Sequence, residues 1–260
     1  MERIRENRSK GMNRNGLRTW ALLIAVAGLV GRGVIQNHIM GVGSITNEEL
    51  IALMDSSENM MILATVALVL QIVETCCVPM FALLLAEGFV HTSDLKNYAL
   101  RVTGCALLSE LPFNLLMSGK LFDMSSQNPV FGMVLGLVVL MFFSRYEGKE
   151  FKKILIRILV LVCAMIWASM LRIDMGIPMV LVVWPMYVFR NKPVYRNLIA
   201  ASMSVVCTLH SMFFLMAPMG CLMLHTYNGE KGEEEPSKVL TYLAYPVITL
   251  VLALGATFLL

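Results

Sequence analysis

The chain has 260 residues, of which 57% are hydrophobic and only 15% charged, with a formal net charge of +3 and a mean hydropathy of +0.71. Soluble domains carry about a quarter charged residues, so this deficit excludes an ordinary soluble fold and a nucleic-acid-binding protein. With apolar runs long enough to cross a hydrocarbon core of about 30 Å, it indicates a polytopic membrane protein.

In chain order, residues 1–16 read as a basic cytoplasmic tail, followed by a single transmembrane domain over 17–260. The stretch MERIRENRSKGMNRNGLR holds six Lys and Arg and no apolar block. It lacks the apolar core and small-residue cleavage site of a signal peptide. The first span is expected over about 17–35. A segment with Glu48, Glu49, Asp55 and Glu58 and no Lys or Arg follows. Basic segments stay on the cytoplasmic side, so the tail, 144–153 and 190–196 face inward and the acidic loop faces outward. Alternation then predicts spans near 17–35, 60–86, 98–117, 129–143, 153–171, 175–189, 198–213, 214–227 and 239–260. The segment 198–227 reads either as two short spans broken at Pro218 or as one long helix, giving an all-α bundle of about eight or nine spans.

Between the second and third spans, AEGFVHTSDLKNYALR (86–101) gathers Glu87, His91, Asp94, Lys96 and Arg101. Asp94 after Thr92 and Ser93 suits a helix N-cap. Glu87 and His91 are four apart and share a face if the helix continues that far. The stretch reads either as an anion-receiving, proton-handling pocket or as a salt-bridged inner turn. Charges inside a bilayer cost about 2.5–3.5 kcal/mol on insertion scales, so each calls for a partner or a cavity. Glu110 lies deep in LLSELPFNLL, one turn before Asn114 and beside Pro112, which frees a backbone carbonyl. Glu74 is a candidate partner for Arg32. Asp174 in LRIDMG reads as a turn residue at the outer surface, and His210 and His225 as packed histidines in apolar helices. The six cysteines are scattered without a C-x-x-C, and the 21 methionines read as core packing. No metal-ligand spacing, phosphate loop or nucleophile elbow is present.

PMFALLLAEGFVHT (79–92), KNYALR (96–101), LLSELPFNL (107–115) and QNPVFGMVLGL (127–137), in this order, resemble the TraX family of bacterial membrane proteins. YNGEKG (227–232) and YLAYP (242–246) are similar to its C-terminal signature. The resemblance implies a multi-pass acyltransferase of the bacterial inner membrane, with acetyl-CoA as donor and no metal. The acceptor would be an amine or hydroxyl on a pilin, a secreted peptide or a small molecule. By position Glu87, His91, Arg101, Glu110, Pro112, Gln127, Asn128, Asn228 and Gly229 match the family pattern. On the acyltransferase expectation His91, oriented by Glu87, and Glu110 are catalytic groups, Arg101 and Lys96 bind the donor with Lys152 and Lys153 as helpers, and Asn114, Gln127 and Asn128 bind the acceptor. The chain departs from the family pattern at three places: Gly28 and Leu29 stand where an Asp-His pair is usual, Thr75 where an arginine is, and Ile248 where a histidine is. These departures motivate a second expectation, a catalytically degenerate scaffold that binds a membrane peptide, lipid or protein. A small-solute transporter gains little support, because the chain shows no internal repeat.

Overall fold

A computed structural model describes residues 11–42, 48–49, 51–52, 57–230, 232 and 237–259. Asp55, most of the basic tail and the acidic run Glu233–Glu235 lie outside them. All regular secondary structure among the described residues is helical.

Helix α1 (Arg14–Leu29) begins at Asn13, whose side chain accepts the Gly16 N–H at 2.8 Å and so satisfies an orphan donor of the first turn. It runs on into π-wound turns over Val30–Ile39, four residues beyond the expected end of the first span. Helices α2 (Glu58–Glu74) and α3 (Cys77–His91) form one apolar stretch of 34 residues. A straight helix of that length would be about 50 Å long, well over a hydrocarbon core of about 30 Å. A turn at Thr75–Cys76 breaks it. There the Thr75 hydroxyl and the Cys76 thiol reach the carbonyls of Phe213 and Met216, at 3.3 and 3.1 Å. Gly220 sits directly against the Cys76 carbonyl, where a Cβ would collide.

Helix α4 (Leu95–Ser118) starts on Asp94, which accepts the Asn97 N–H at 3.0 Å, and stops at Gly119 in the left-handed conformation. The chain continues through α5 (Val130–Arg145), α6 (Phe151–Met170), α7 (Gly176–Val188) and α8 (Pro193–Val206). Proline at the first position of α8 costs no helical hydrogen bond. Two 3-10 turns, Cys207–Leu209 and Met212–Met216, and the seven-residue α9 (Ala217–Met223) lead to the last helix, α10 (Lys238–Leu259).

Helix α3 is the hub: Val78, Met80, Ala82, Leu83 and Leu85 are buried on every side, as expected of a helix enclosed by others. Around it lie α1, α5, α7, α8 and α9. α10 packs along α4. α6 is peripheral, with only Ala164 and Ala168 buried.

Among the described residues four helical stretches are long and apolar enough to cross a membrane, namely 14–39, 58–91, 151–170 and 239–258; 130–145, 176–188 and 212–223 are shorter apolar helices. The pair of spans expected over 198–213 and 214–227 takes another form. α8 leaves the end of the bundle that carries Arg14, the basic end. The chain reverses near His210, and Tyr227 returns to pair with Met12 at the starting end. α8 runs on into the first 3-10 turn and the second 3-10 turn runs on into α9, so 193–209 and 212–223 form a helical hairpin that breaks near His210 and not at Pro218. His210 lies exposed at its reversal and His225 in an exposed turn, not within apolar helices.

Candidate functional site

Two polar clusters occupy opposite ends of one cavity. At the basic end, Arg14 at the start of α1 pairs with Glu87 on α3, Nη2 to Oε2, at 3.1 Å. The Tyr227 hydroxyl donates to the same Oε2 at 2.6 Å. Below them the chain near residue 12 is laced to 226–230: the Met12 N–H donates to Thr226, the Asn228 N–H to Met12, and the Arg14 N–H to Glu230. This clasp joins segments more than 200 residues apart.

His91 is exposed, and its Nδ1 lies 2.9 Å from the backbone carbonyl of Glu87. The Glu87 carboxylate is taken up by Arg14 and Tyr227, so the expected orientation of His91 by that carboxylate is not what the fold provides. Arg101, half-buried on α4, lies 5.8 Å over the Tyr242 ring, and its Nε has no hydrogen-bond partner among the described residues. Lys96 is exposed on the first turn of α4. Lys153 pairs with Glu150 at 2.8 Å, at the start of α6. Asp94, in the adjoining turn, is held below the usual carboxylate range by the Asn97 N–H that it accepts.

The far cluster is deeper. Arg32, in the π-wound turns, reaches Glu74 at the end of α2 at 3.2 Å and Asp174 in the α6–α7 turn at 2.7 Å. One guanidinium thus faces two carboxylates. Gly28 creates the space: a Cβ there would overlap the Glu74 carboxylate. The Tyr245 hydroxyl is buried nearby with no hydrogen-bond partner among the described residues. Asp174 lies between Arg172 and Met175, both in the left-handed region with φ of 51° and 52°, and strain of this kind persists only where surrounding structure enforces it. The enforcement comes from Gln127. Its N–H donates to the Arg172 carbonyl and its carbonyl accepts the Asp174 N–H, both at 2.9 Å.

Glu110 and Asn128 stand beside this arrangement. Glu110 Oε2 accepts the Asn128 backbone N–H at 3.1 Å and its side-chain amide at 2.5 Å, while Asn128 also donates to the Ala106 carbonyl at 2.9 Å. These bonds tie the 119–129 loop to α4. Glu110 Oε1 stays buried without a hydrogen-bond partner among the described residues, and Asn114 is buried one turn further along α4.

Between the clusters runs a cavity of about 460 Å³, walled by α1, α3, α4 and α10 and mostly apolar. Arg14 and Arg18 line one end; Glu74, Cys77, Met175 and Tyr245 line the other. From Arg14 to Val26 its α1 wall is about 18 Å long. His91, Lys96, Arg101, Glu110, Asn114, Gln127 and Asn128 do not line it; Arg101 lies behind Tyr242, which does. Such a chamber, apolar along its walls with few polar groups at each end, fits an elongated ligand whose anionic head stays at the arginines.

The Arg32–Glu74 pair was legible in the sequence, since each charge within an apolar run needs a partner. Asp174, Tyr245 and Tyr227 as site residues were not. A family model described as TraX protein matches residues 35–255. No curated protein and no solved structure matches the chain.

Proposed function

The chain belongs to the TraX family, and from that premise we propose that this multi-pass membrane protein is an acyltransferase that draws its donor into the cavity from the basic end. The observation that carries the reading is the cavity itself, with arginines at one end and a carboxylate cluster at the other. The donor is acetyl-CoA, its phosphates held by Arg14, Arg18 and Arg101 and its thioester directed along the apolar walls. The acceptor is an amine or hydroxyl, such as a pilin or secreted-peptide N-terminus or a small molecule. The setting is the bacterial inner membrane, with the basic end cytoplasmic.

In this reading Glu74, held by Arg32, takes the acceptor's proton as the acceptor bonds to the thioester carbon. The carbon–sulfur bond breaks, and the departing CoA thiolate receives the proton that Glu74 took, which regenerates the carboxylate. The Tyr245 hydroxyl, which has no other described partner, donates to the oxygen that becomes negative in the tetrahedral intermediate. One of the three departures from the family pattern supports this relocation of chemistry: Gly28 leaves the room that the Glu74 carboxylate occupies. Glu87, Glu110, Gln127 and Asn128 then act as positioning groups, and His91 and Lys96 lie outside the transfer path.

The test is acetyl-CoA binding and transfer by the purified protein in nanodiscs. Arg101→Ala is expected to weaken binding, and Glu74→Gln to preserve binding while lowering transfer by about 10²–10⁴-fold. Binding absent at millimolar acetyl-CoA, or Glu74→Gln transferring at the wild-type rate, overturns the reading. A degenerate scaffold is the second reading, favoured by Ile248, an apolar side chain that lines the cavity where a histidine is usual. It predicts no acetyl-CoA binding at all.

A further inference from the structure

Away from the cavity, α5, α6 and α7 meet at the basic end in a corner that holds two buried donors with no acceptor among the described residues. Arg157 on α6 lies 5.7 Å over the ring of Phe143 on α5 and donates from Nη2 to the Gly148 carbonyl at 2.7 Å. Its Nε is buried without a hydrogen-bond partner among the described residues. Trp184 on α7 packs against the same ring, centroids 6.4 Å apart, and its indole N–H is likewise buried and unpartnered. Buried N–H groups are nearly always satisfied, so two around one ring point to an acceptor supplied from outside the chain.

The charge around the corner says what that acceptor is. Residues 145–157 hold Arg145, Lys149, Lys152, Lys153 and Arg157 against Glu147 and Glu150. Both carboxylates are engaged. Glu147 accepts the Tyr187 hydroxyl at 2.6 Å and pairs with Arg190 at 3.5 Å, and Glu150 pairs with Lys153. The remainder is cationic, and anionic headgroups collect at basic corners between helices. From this corner α6 presents an exposed apolar face, including Ile154, Leu155 and Ile158. A ligand with a charged head and long apolar tails therefore fits better than a small soluble anion.

We propose that this corner binds the phosphodiester headgroup of an anionic phospholipid, with the Arg157 Nε–H and the Trp184 N–H as donors and the acyl chains along α6. Arg157, Trp184 and Phe143 do not line the cavity, so the site stands whether or not the chain transfers acyl groups. The phosphodiester supplies acceptor oxygens that the described residues do not offer these two donors, and contacts to an ionised oxygen are the stronger kind.

The test is lipid binding by delipidated protein in detergent, read by native mass spectrometry and by the melting temperature. The probes are phosphatidylglycerol, phosphatidylcholine and inorganic phosphate. Phosphatidylglycerol is expected to bind at least tenfold more tightly than phosphatidylcholine and to raise the melting temperature. Arg157→Gln is expected to cost at least tenfold in that affinity. Trp184→Phe keeps a ring against Phe143 but gives up the indole N–H together with packing volume, including part of the contact with Phe189. It should lower the lipid-free melting temperature modestly, leave phosphatidylcholine binding unchanged and weaken phosphatidylglycerol about threefold. If Arg157→Gln fails to fold, Trp184→Phe decides alone. Equal binding of the two lipids, stabilisation by inorganic phosphate alone, or wild-type affinity in Trp184→Phe would overturn the proposal.

Discussion

The two ends of the cavity hold similar residues in different electrical states. At the basic end Arg14 meets a single carboxylate, Glu87, and a tyrosine hydroxyl completes the set. At the deep end Arg32 is shared between Glu74 and Asp174, and Glu74 is almost fully buried. The first arrangement sets Glu87 against two arginines, Arg14 and the nearby Arg196, and is built on a clasp between distant loops, which suits a mouth for an anion. The second has one carboxylate more than it has cations, which suits a place where a proton is taken up. The difference teaches that a buried charge is read by its surplus, since pairing alone is required of any charge within a bilayer.

The largest expected effect is at the deep end. Arg32→Ala leaves two carboxylates in the bundle without their cation and should destabilise the protein by about 3–5 kcal/mol, the cost typical of breaking a buried pair. Unfolding in mixed micelles, followed by circular dichroism, measures it. A loss no greater than that of Arg14→Ala would erase the contrast between the ends.

Tyr227→Phe tests the mouth. It removes a hydrogen bond to a charged group, worth about 1.5–3 kcal/mol, and loosens the clasp of residues 226–230 on Met12. Proteolysis within 226–230 should accelerate in the variant, while the far loops stay as resistant as before. Gly28→Ala sharpens the comparison from the other side. Its Cβ overlaps the Glu74 carboxylate, and overpacking of this sort costs about 1–3 kcal/mol. Acyl transfer should fall more than stability does, because the displaced group is the proposed base, whereas acetyl-CoA binding at the mouth should persist.

The smallest effect belongs to Asp94. Its carboxyl is held below its ordinary value of 3.8, chiefly by the Asn97 N–H, so its ionised form stabilises the fold above that value. That contribution is lost as pH falls through the lower folded-state value. Wild type should therefore be slightly more stable than Asp94→Asn near neutrality, with the difference closing below pH 3.8 in acid unfolding curves.

Much of the helical arrangement was legible because its causes are local. Apolar runs and the Asp94 cap each act within a turn or two. The hairpin at 193–227 was legible only as an ambiguity. Its apolar length admits one long helix or two short ones, and what decides is packing of α9 against the break at Thr75–Cys76, where only Gly220 allows the approach. Around the site, Glu87 and His91 were read as partners from their spacing. The carboxylate instead turns to Tyr227, 140 residues away, and no periodicity carries that information.

The sequence by itself determined that the chain is a helical membrane protein of the TraX family, and that Arg32 and Glu74 needed counterions, because hydrophobic length and the cost of a charge in lipid are properties of composition. Only the tertiary structure decided that Asp174 joins them, that Gly28 makes the room, and that a cavity links this cluster to Arg14 and Arg18. Those facts depend on how helices distant in sequence pack against one another, and close packing is settled by the whole set of neighbours at once.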